Sequence, residues 1–143
     1  MRSKQFEDKY LIRLDLGEKV RETLDPFLEE QQIKAGILLQ GIGAVSKVEI
    51  AHYPLSQRQY HKQTFSGEFE VVSLSGNLAR VDQKPFLHMH IALGRSKQAS
   101  YELFGGHLVE ATVGPTLELF LQTLPGELTR TLDPEVGLKL LDW

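Results

Sequence analysis

Three histidines are the residues of this 143-residue chain whose types and spacing best suit chemistry. His88 and His90 lie in the apolar segment FLHMHIAL, residues 86–93, which has the composition of a β-strand. Successive strand side chains point to opposite faces, so both imidazoles are expected on one face. The third, His107, follows a glycine pair that permits a tight turn or a close backbone approach. Three neutral imidazoles can hold Zn²⁺ and leave a fourth position for water or a carboxylate, although other first-row metals also accept imidazole.

The same pattern has a simpler interpretation. Two histidines on one strand face can be solvated or hydrogen-bonded at the surface of a sheet, and the spacing His-x-His alone is a weak signal. The two remaining histidines are His52, before Tyr53 and Pro54, and His61, in a polar segment. We interpret both as ordinary surface or packed imidazoles.

Three carboxylates in strand-like segments could act as a general base or a fourth ligand beside such a metal. Glu70 shares a face with Val72, Glu110 interrupts an apolar run, and Glu118 stands between leucines. Taken singly, each is more simply solvent-facing or paired with a cation at a subunit contact. Glu118 is the main exception, because an unpaired carboxylate among apolar side chains is costly. We take Glu118 first, and Glu70 with it, as the catalytic candidates.

Composition and missing motifs exclude several other classes. The chain has no cysteine, which excludes disulfides, a cysteine nucleophile and thiolate metal sites. It also lacks a Gly-x-Ser-x-Gly elbow and a phosphate-binding Walker loop, and residues 41–46 lack the third glycine of a dinucleotide fingerprint. Sixteen basic against nineteen acidic residues give a net charge of −3, which argues against holding nucleic acid by neutralising phosphates.

One helix and many strands must position these residues. Apolar residues at helical spacing predict a helix over residues 18–33, with a kink at Pro26 or a restart with Asp25 as its N-cap. From Ala35 onward alternation predicts strand after strand, with breaks at Gly94, at residues 105–106 and at residues 114–115, and a hairpin turn at residues 66–67.

These elements predict a single α+β domain over residues 1–143, with a largely antiparallel, barrel-like sheet and one main helix near the N terminus. A sheet with edges to protect makes oligomerisation plausible. No apolar run approaches the roughly 20 residues that cross a bilayer, and the polar first eight residues contain no signal-peptide core. We expect a cytoplasmic protein without a membrane partner.

Five motifs, in order over Tyr10–Leu124, resemble the PPC domain (plants and prokaryotes conserved domain, also called DUF296). They are GIGA at 41–44, GEFEVVSLSG at 67–76, LHMH at 87–90, GGHL at 105–108 and LE at 117–118. The resemblance implies an α+β fold, a homotrimer and a metal site, zinc in some stand-alone prokaryotic members, built from His88, His90 and His107. The architecture is similar to that of acetolactate decarboxylase, a zinc enzyme, but fold analogy alone carries no activity.

The resemblance leaves three hypotheses open. The first is metal-dependent chemistry on a small molecule. The second is an interaction or transcription-associated module, in which residues 67–72 could contact a partner. The third is DNA binding: plant members carry an AT-hook with an Arg-Gly-Arg-Pro core, which this chain lacks, so DNA would need a local basic patch. The candidate patch consists of Arg58, Lys62, Arg80, Lys84, Arg95 and Lys97.

Overall fold

A computed structural model describes residues 1–98 and 100–142 of the chain. In these residues one helix accompanies an eight-stranded sheet. The elements are β1 (Arg2–Phe6), β2 (Lys9–Asp15), α1 (Val20–Glu30), β3 (Gly36–His52), β4 (His61–Val81), β5 (Lys84–Lys97), β6 (Ser100–Thr123), β7 (Thr129–Asp133) and β8 (Leu138–Asp142). No helix of this described part is long and apolar enough to span a membrane.

Four long strands close a ring of pairings. β3 pairs with β4, β4 with β5, β5 with β6 and β6 with β3, all antiparallel. The ribbon β1–β2 extends from β6, and the hairpin β7–β8 joins β4 through one parallel pair, Arg80 with Thr129. The predicted antiparallel sheet with a helix near the N terminus is confirmed. The prediction of a barrel-like sheet is met only in part, by the closed ring of these four strands.

The helix α1 packs one apolar face on the sheet. Val20, Leu24, Phe27 and Leu28 are buried at the spacings of a single helical face. The alternative of a restart at Asp25 is wrong, because α1 runs unbroken from Val20 and has Lys19 as its N-cap. Pro26 removes the donor to the carbonyl of Glu22, but both residues are exposed, so water can replace that bond.

The predicted strand breaks at glycines are also wrong. Gly94 lies inside β5, residues 105–106 and 114–115 lie inside β6, and the expected hairpin turn at residues 66–67 lies inside β4. At such glycines the lack of a side chain allows neighbouring strands to approach closely, and the chain does not turn there. A Cβ on Gly105 would lie 2.1 Å from the carbonyl oxygen of Ile91 on β5.

The alternation of β5 decides where its histidines point. Leu87, Met89 and Ile91 are 1%, 0% and 3% exposed and belong to the core. His88 and His90 therefore stand on the opposite face, as the sequence predicts. The core behind β5 thus fixes the direction of both imidazoles.

Substitution of Gly76 tests the packing that supports β5. Gly76 lies opposite Met89, and a Cβ there would be 2.2 Å from the carbonyl oxygen of His88. Gly76→Ala must push β4 and β5 apart, so we expect the free energy of unfolding to fall by about 1–3 kcal/mol. Urea unfolding measures this change. Ser75→Ala, at the exposed neighbouring position, is the control and should change stability by no more than about 0.5 kcal/mol. Equal midpoints for both variants would contradict the packing described.

Candidate metal centre

Strand register brings the three histidines together. His90 on β5 pairs directly with His107 on β6, and His88 precedes His90 by two residues on the same face. The ring centroids are 5.2 Å apart for His88 and His90, 4.9 Å for His88 and His107, and 5.6 Å for His90 and His107. One candidate ligand nitrogen from each ring lies within 4.8 Å of the other two. A small cation between them would be within reach of all three.

The chemical state of the cluster suits a metal ion. Burial, helped by His107 and Arg130, lowers the pKa of His88 to about 4, and burial with His90 lowers the pKa of His107. Both rings are therefore neutral at physiological pH, which is the form that donates a lone pair to a metal. The Nδ1 atom of His107 is buried and has no hydrogen-bond partner in the described part of the chain. The donor set fits a first-row metal, and the ligand role stays a prediction.

Asn77 and Arg130 contact the cluster from outside. Asn77 on β4 lies opposite His88. Nη2 of Arg130 on β7 donates to Oδ1 of Asn77 at 2.6 Å. The same Nη2 lies 3.2 Å from Nδ1 of His88. No sequence motif indicated Arg130, because its approach depends on the hairpin folding back across β4. Asn77 directly follows one of the family-like motifs, which is the only sequence signal for it.

A cavity of about 270 Å³ opens beside His107. Its lining consists of Arg21, Ala51, Tyr60, Lys62, Phe86, His107, Leu108 and Val109. The Tyr60 ring lies 5.4 Å from the ring of His107. Phe86 is flanked by two guanidinium groups, Arg21 at 5.4 Å and Arg130 at 5.5 Å from its centroid. Among the described residues, cations line this cavity and carboxylates do not.

The two predicted catalytic carboxylates lie away from the histidines. Glu70 is opposite Gly94, four residues from His90 and so about 13 Å along the strand. Glu118 follows His107 by eleven residues on β6, on the order of 30 Å. Glu118 is exposed because its flanking leucines turn to the other face, so the apolar surround expected for it is wrong. Catalytic roles for both carboxylates stay predictions.

Glu110 has a structural role instead. Its Oε1 accepts a hydrogen bond from the backbone N–H of Arg21 at 2.9 Å, and its Oε2 accepts one from Glu22 at 3.2 Å. The carboxylate thereby caps the first turn of α1, where Lys19 supplies no side-chain cap. Arg21 then reaches β5 and donates to the carbonyl of Leu87 at 3.0 Å. The helix is thus tied to both histidine-bearing strands.

Fold and cluster together define a class of protein: a mostly antiparallel sheet that gathers three histidines from two neighbouring strands at one surface. Residues 1–125 match the family model of the Plants and Prokaryotes Conserved (PCC) domain. The chain belongs to this family. The resemblance noted from its motifs is confirmed.

Solved structures and a curated protein are similar to this chain. A metal-containing protein from Archaeoglobus fulgidus is 36% identical with a TM-score of 0.86, covering 100% of both chains. A PPC protein from Pyrococcus horikoshii is 31% identical, TM-score 0.85, covering 99% of this chain and 94% of that one. A "putative DNA binding protein" from Bacteroides thetaiotaomicron is 26% identical, TM-score 0.91, covering 99% and 96%.

The curated relative is the bifunctional protein GlmU of Synechococcus sp. (strain JA-3-3Ab), 27% identical over 130 residues. The match includes 90% of this chain and 19% of that protein. The chain therefore spans about a fifth of the length of the curated relative it matches, and the likeness concerns that part alone.

The lowered pKa of His88 predicts a pH-dependent stability in chelator-treated protein. The folded pKa of about 4 lies below the unfolded value of about 6.5, so only the unfolded chain takes up this proton between them. Stability is therefore full above about pH 6.5 and falls as the pH decreases towards 4. Urea midpoints across this range measure the slope. His88→Gln should flatten this slope, and the exposed control His52→Gln should leave the slope unchanged. An unchanged slope in His88→Gln would contradict its assignment to His88.

Proposed function

We propose that the chain binds one divalent first-row metal ion, zinc first, through His88, His90 and His107, and uses it in small-molecule chemistry. The convergence of three imidazoles, with ligand atoms within 4.8 Å of one another, carries this proposal. The similarity to the metal-containing protein of Archaeoglobus fulgidus supports it. Three protein ligands leave a coordination position for water or a ligand, as catalytic zinc sites do.

A metal held there supplies a Lewis acid that polarises a bound oxygen or activates water. The protein's own residues would select what approaches. Tyr60 and Phe86 give the adjoining cavity aromatic walls, while Arg21 and Lys62 give it positive charge. Within one chain neither Glu70 nor Glu118 reaches this place, so a catalytic role for either one requires a second copy of the chain.

We also propose that the chain assembles as a homotrimer, as the family resemblance implies. An exposed apolar surface supports association: Phe6, Leu11, Leu39 and Phe120 are 49%, 37%, 48% and 41% exposed. These four residues help to line a groove of about 340 Å³ between β1, β2, β3 and β6. Neighbouring apolar side chains exposed in this way mark surfaces that contact a partner.

Metal analysis tests the proposal directly. Purified protein should carry close to one metal ion per chain, measured by elemental analysis after exhaustive dialysis. The double variant His88→Ala/His90→Ala keeps one imidazole and should lose the metal, because a single histidine cannot hold it against dialysis. Light scattering on the same samples gives the number of chains.

The matched control for that experiment is His52→Ala, which removes an exposed imidazole from the end of β3. It should retain metal at the level of the parent. A parent protein that stays metal-free after loading and dialysis would refute the metal site. A mass of one chain would refute the trimer and leave the metal site standing.

DNA binding is the alternative, favoured by the description of the similar Bacteroides structure. Three of the six candidate cations lie near carboxylates and so offer little free charge to DNA. Arg95 and Lys97 lie against Glu102, at 2.6 Å and 3.5 Å, and Lys62 lies 3.9 Å from Glu49. Arg95 and Lys84 lie eleven residues apart on β5, so the candidate patch is divided over about 30 Å or more.

A salt titration separates this alternative from the metal proposal. Binding through phosphates must weaken steeply as salt rises, because counterions are released from DNA. We expect the protein to show no measurable binding to fluorescently labelled duplex DNA at low salt. Tight, salt-sensitive binding that Arg95→Gln/Lys97→Gln abolishes would favour the nucleic-acid role.

A further inference from the structure

Arg130 is a cation without a counter-ion among residues 1–98 and 100–142. Its guanidinium is partly buried, its Nε is buried without a hydrogen-bond partner, and no described carboxylate lies within ion-pair distance. Its two other nitrogens donate to neutral oxygens, Nη1 to the carbonyl of Lys139 at 2.9 Å and Nη2 to the amide of Asn77. Burying a charge without an opposite charge is unfavourable, so an anion would stabilise this arrangement.

The contact between Arg130 and His88 cannot persist when His88 binds a metal. A neutral imidazole has one lone pair, and Nδ1 of His88 uses it to accept from Arg130 at 3.2 Å. If a metal takes Nδ1, the arginine is displaced. If a metal takes the other nitrogen, Nδ1 carries the proton and two donors face each other. In either case Nη2 of Arg130 must leave His88 and becomes free to donate beside the three histidines.

The C-terminal hairpin holds Arg130 at this place. Tyr53 donates from its hydroxyl to the carbonyl of Val136 at 2.9 Å, and Arg58 donates to the carbonyl of Glu135 at 2.6 Å. Lys139 pairs with Asp82 at 2.7 Å. The hairpin lies beyond residues 1–125 of the family match, so that match assigns no role to Arg130.

We propose that the site takes a small oxyanion, the chemistry shared by carboxylates and phosphates, and that Arg130 from the C-terminal hairpin is the residue that binds it. This inference rests on the proposed metal site. The cavity lining adds two further cations beside His107, Arg21 and Lys62, whose nearest carboxylates lie at 3.9 Å. An arginine offers a planar fork of donors that suits a carboxylate or a phosphate.

Cobalt-loaded protein provides a test with a spectroscopic readout. The visible absorption of Co²⁺ at the three histidines should change on titration with inorganic phosphate or with acetate, and the two titrations tell which oxyanion binds more tightly. Arg130→Gln should weaken that binding roughly tenfold or more, the effect of one charge-assisted hydrogen bond. The same variant should bind Co²⁺ more tightly without an anion, because no guanidinium competes for His88.

Two further variants keep this result interpretable. Arg130→Lys preserves the charge without the fork and should bind phosphate with intermediate affinity, which also covers the case in which Arg130→Gln fails to fold. Arg95→Gln, on the exposed end of β5, is the control and should behave as the parent. Equal phosphate affinity in parent and Arg130→Gln would overturn the role of Arg130 and leave the metal site intact. A parent that binds no Co²⁺ would overturn both.

Discussion

The register between β5 and β6 is the constraint on which the site depends. Pairing of His90 with His107 places imidazoles from two chain segments on one face. Slippage by one residue would turn His88 and His90 into the core and expose Met89, which the packing of the adjacent apolar side chains opposes. The register is in turn supported by the close approach of strands at glycine, as at Gly105. The geometry of the site is therefore a by-product of core packing.

The sequence predicted those features that depend on the local alternation of apolar and polar residues along a strand. The period of two in residues 86–93 correctly separated the buried side chains of β5 from His88 and His90. Patterns failed where a residue has two uses. Glycine serves both turns and close strand contacts, so breaks were predicted inside β5 and β6. Apolar neighbours in sequence suggested that Glu118 is buried, although neighbours on a strand face opposite ways. Arg130 was missed because only the tertiary path of the hairpin brings it to His88.

Opposing electrostatic demands meet at the three histidines. Burial keeps His88 and His107 neutral, which prepares them to bind a cation. Arg21 and Arg130 contribute to the same lowering of pKa, and their positive charge also opposes a second cation nearby. A site of this kind is balanced only when negative charge accompanies the metal. The sheet thus supplies the three imidazoles of the proposed site, and the helix and hairpin place positive charge beside them.

The attachment of the C-terminal hairpin has a consequence for how such a protein can diversify. β7 meets the ring through a single backbone pair at Arg80, and the other anchors described are individual side-chain bonds worth about 1 kcal/mol each. The hairpin can therefore change in sequence or length without disturbing the ring that positions the histidines. One framework could in this way present different outer walls to different ligands, much as exchangeable loops do on other rigid scaffolds.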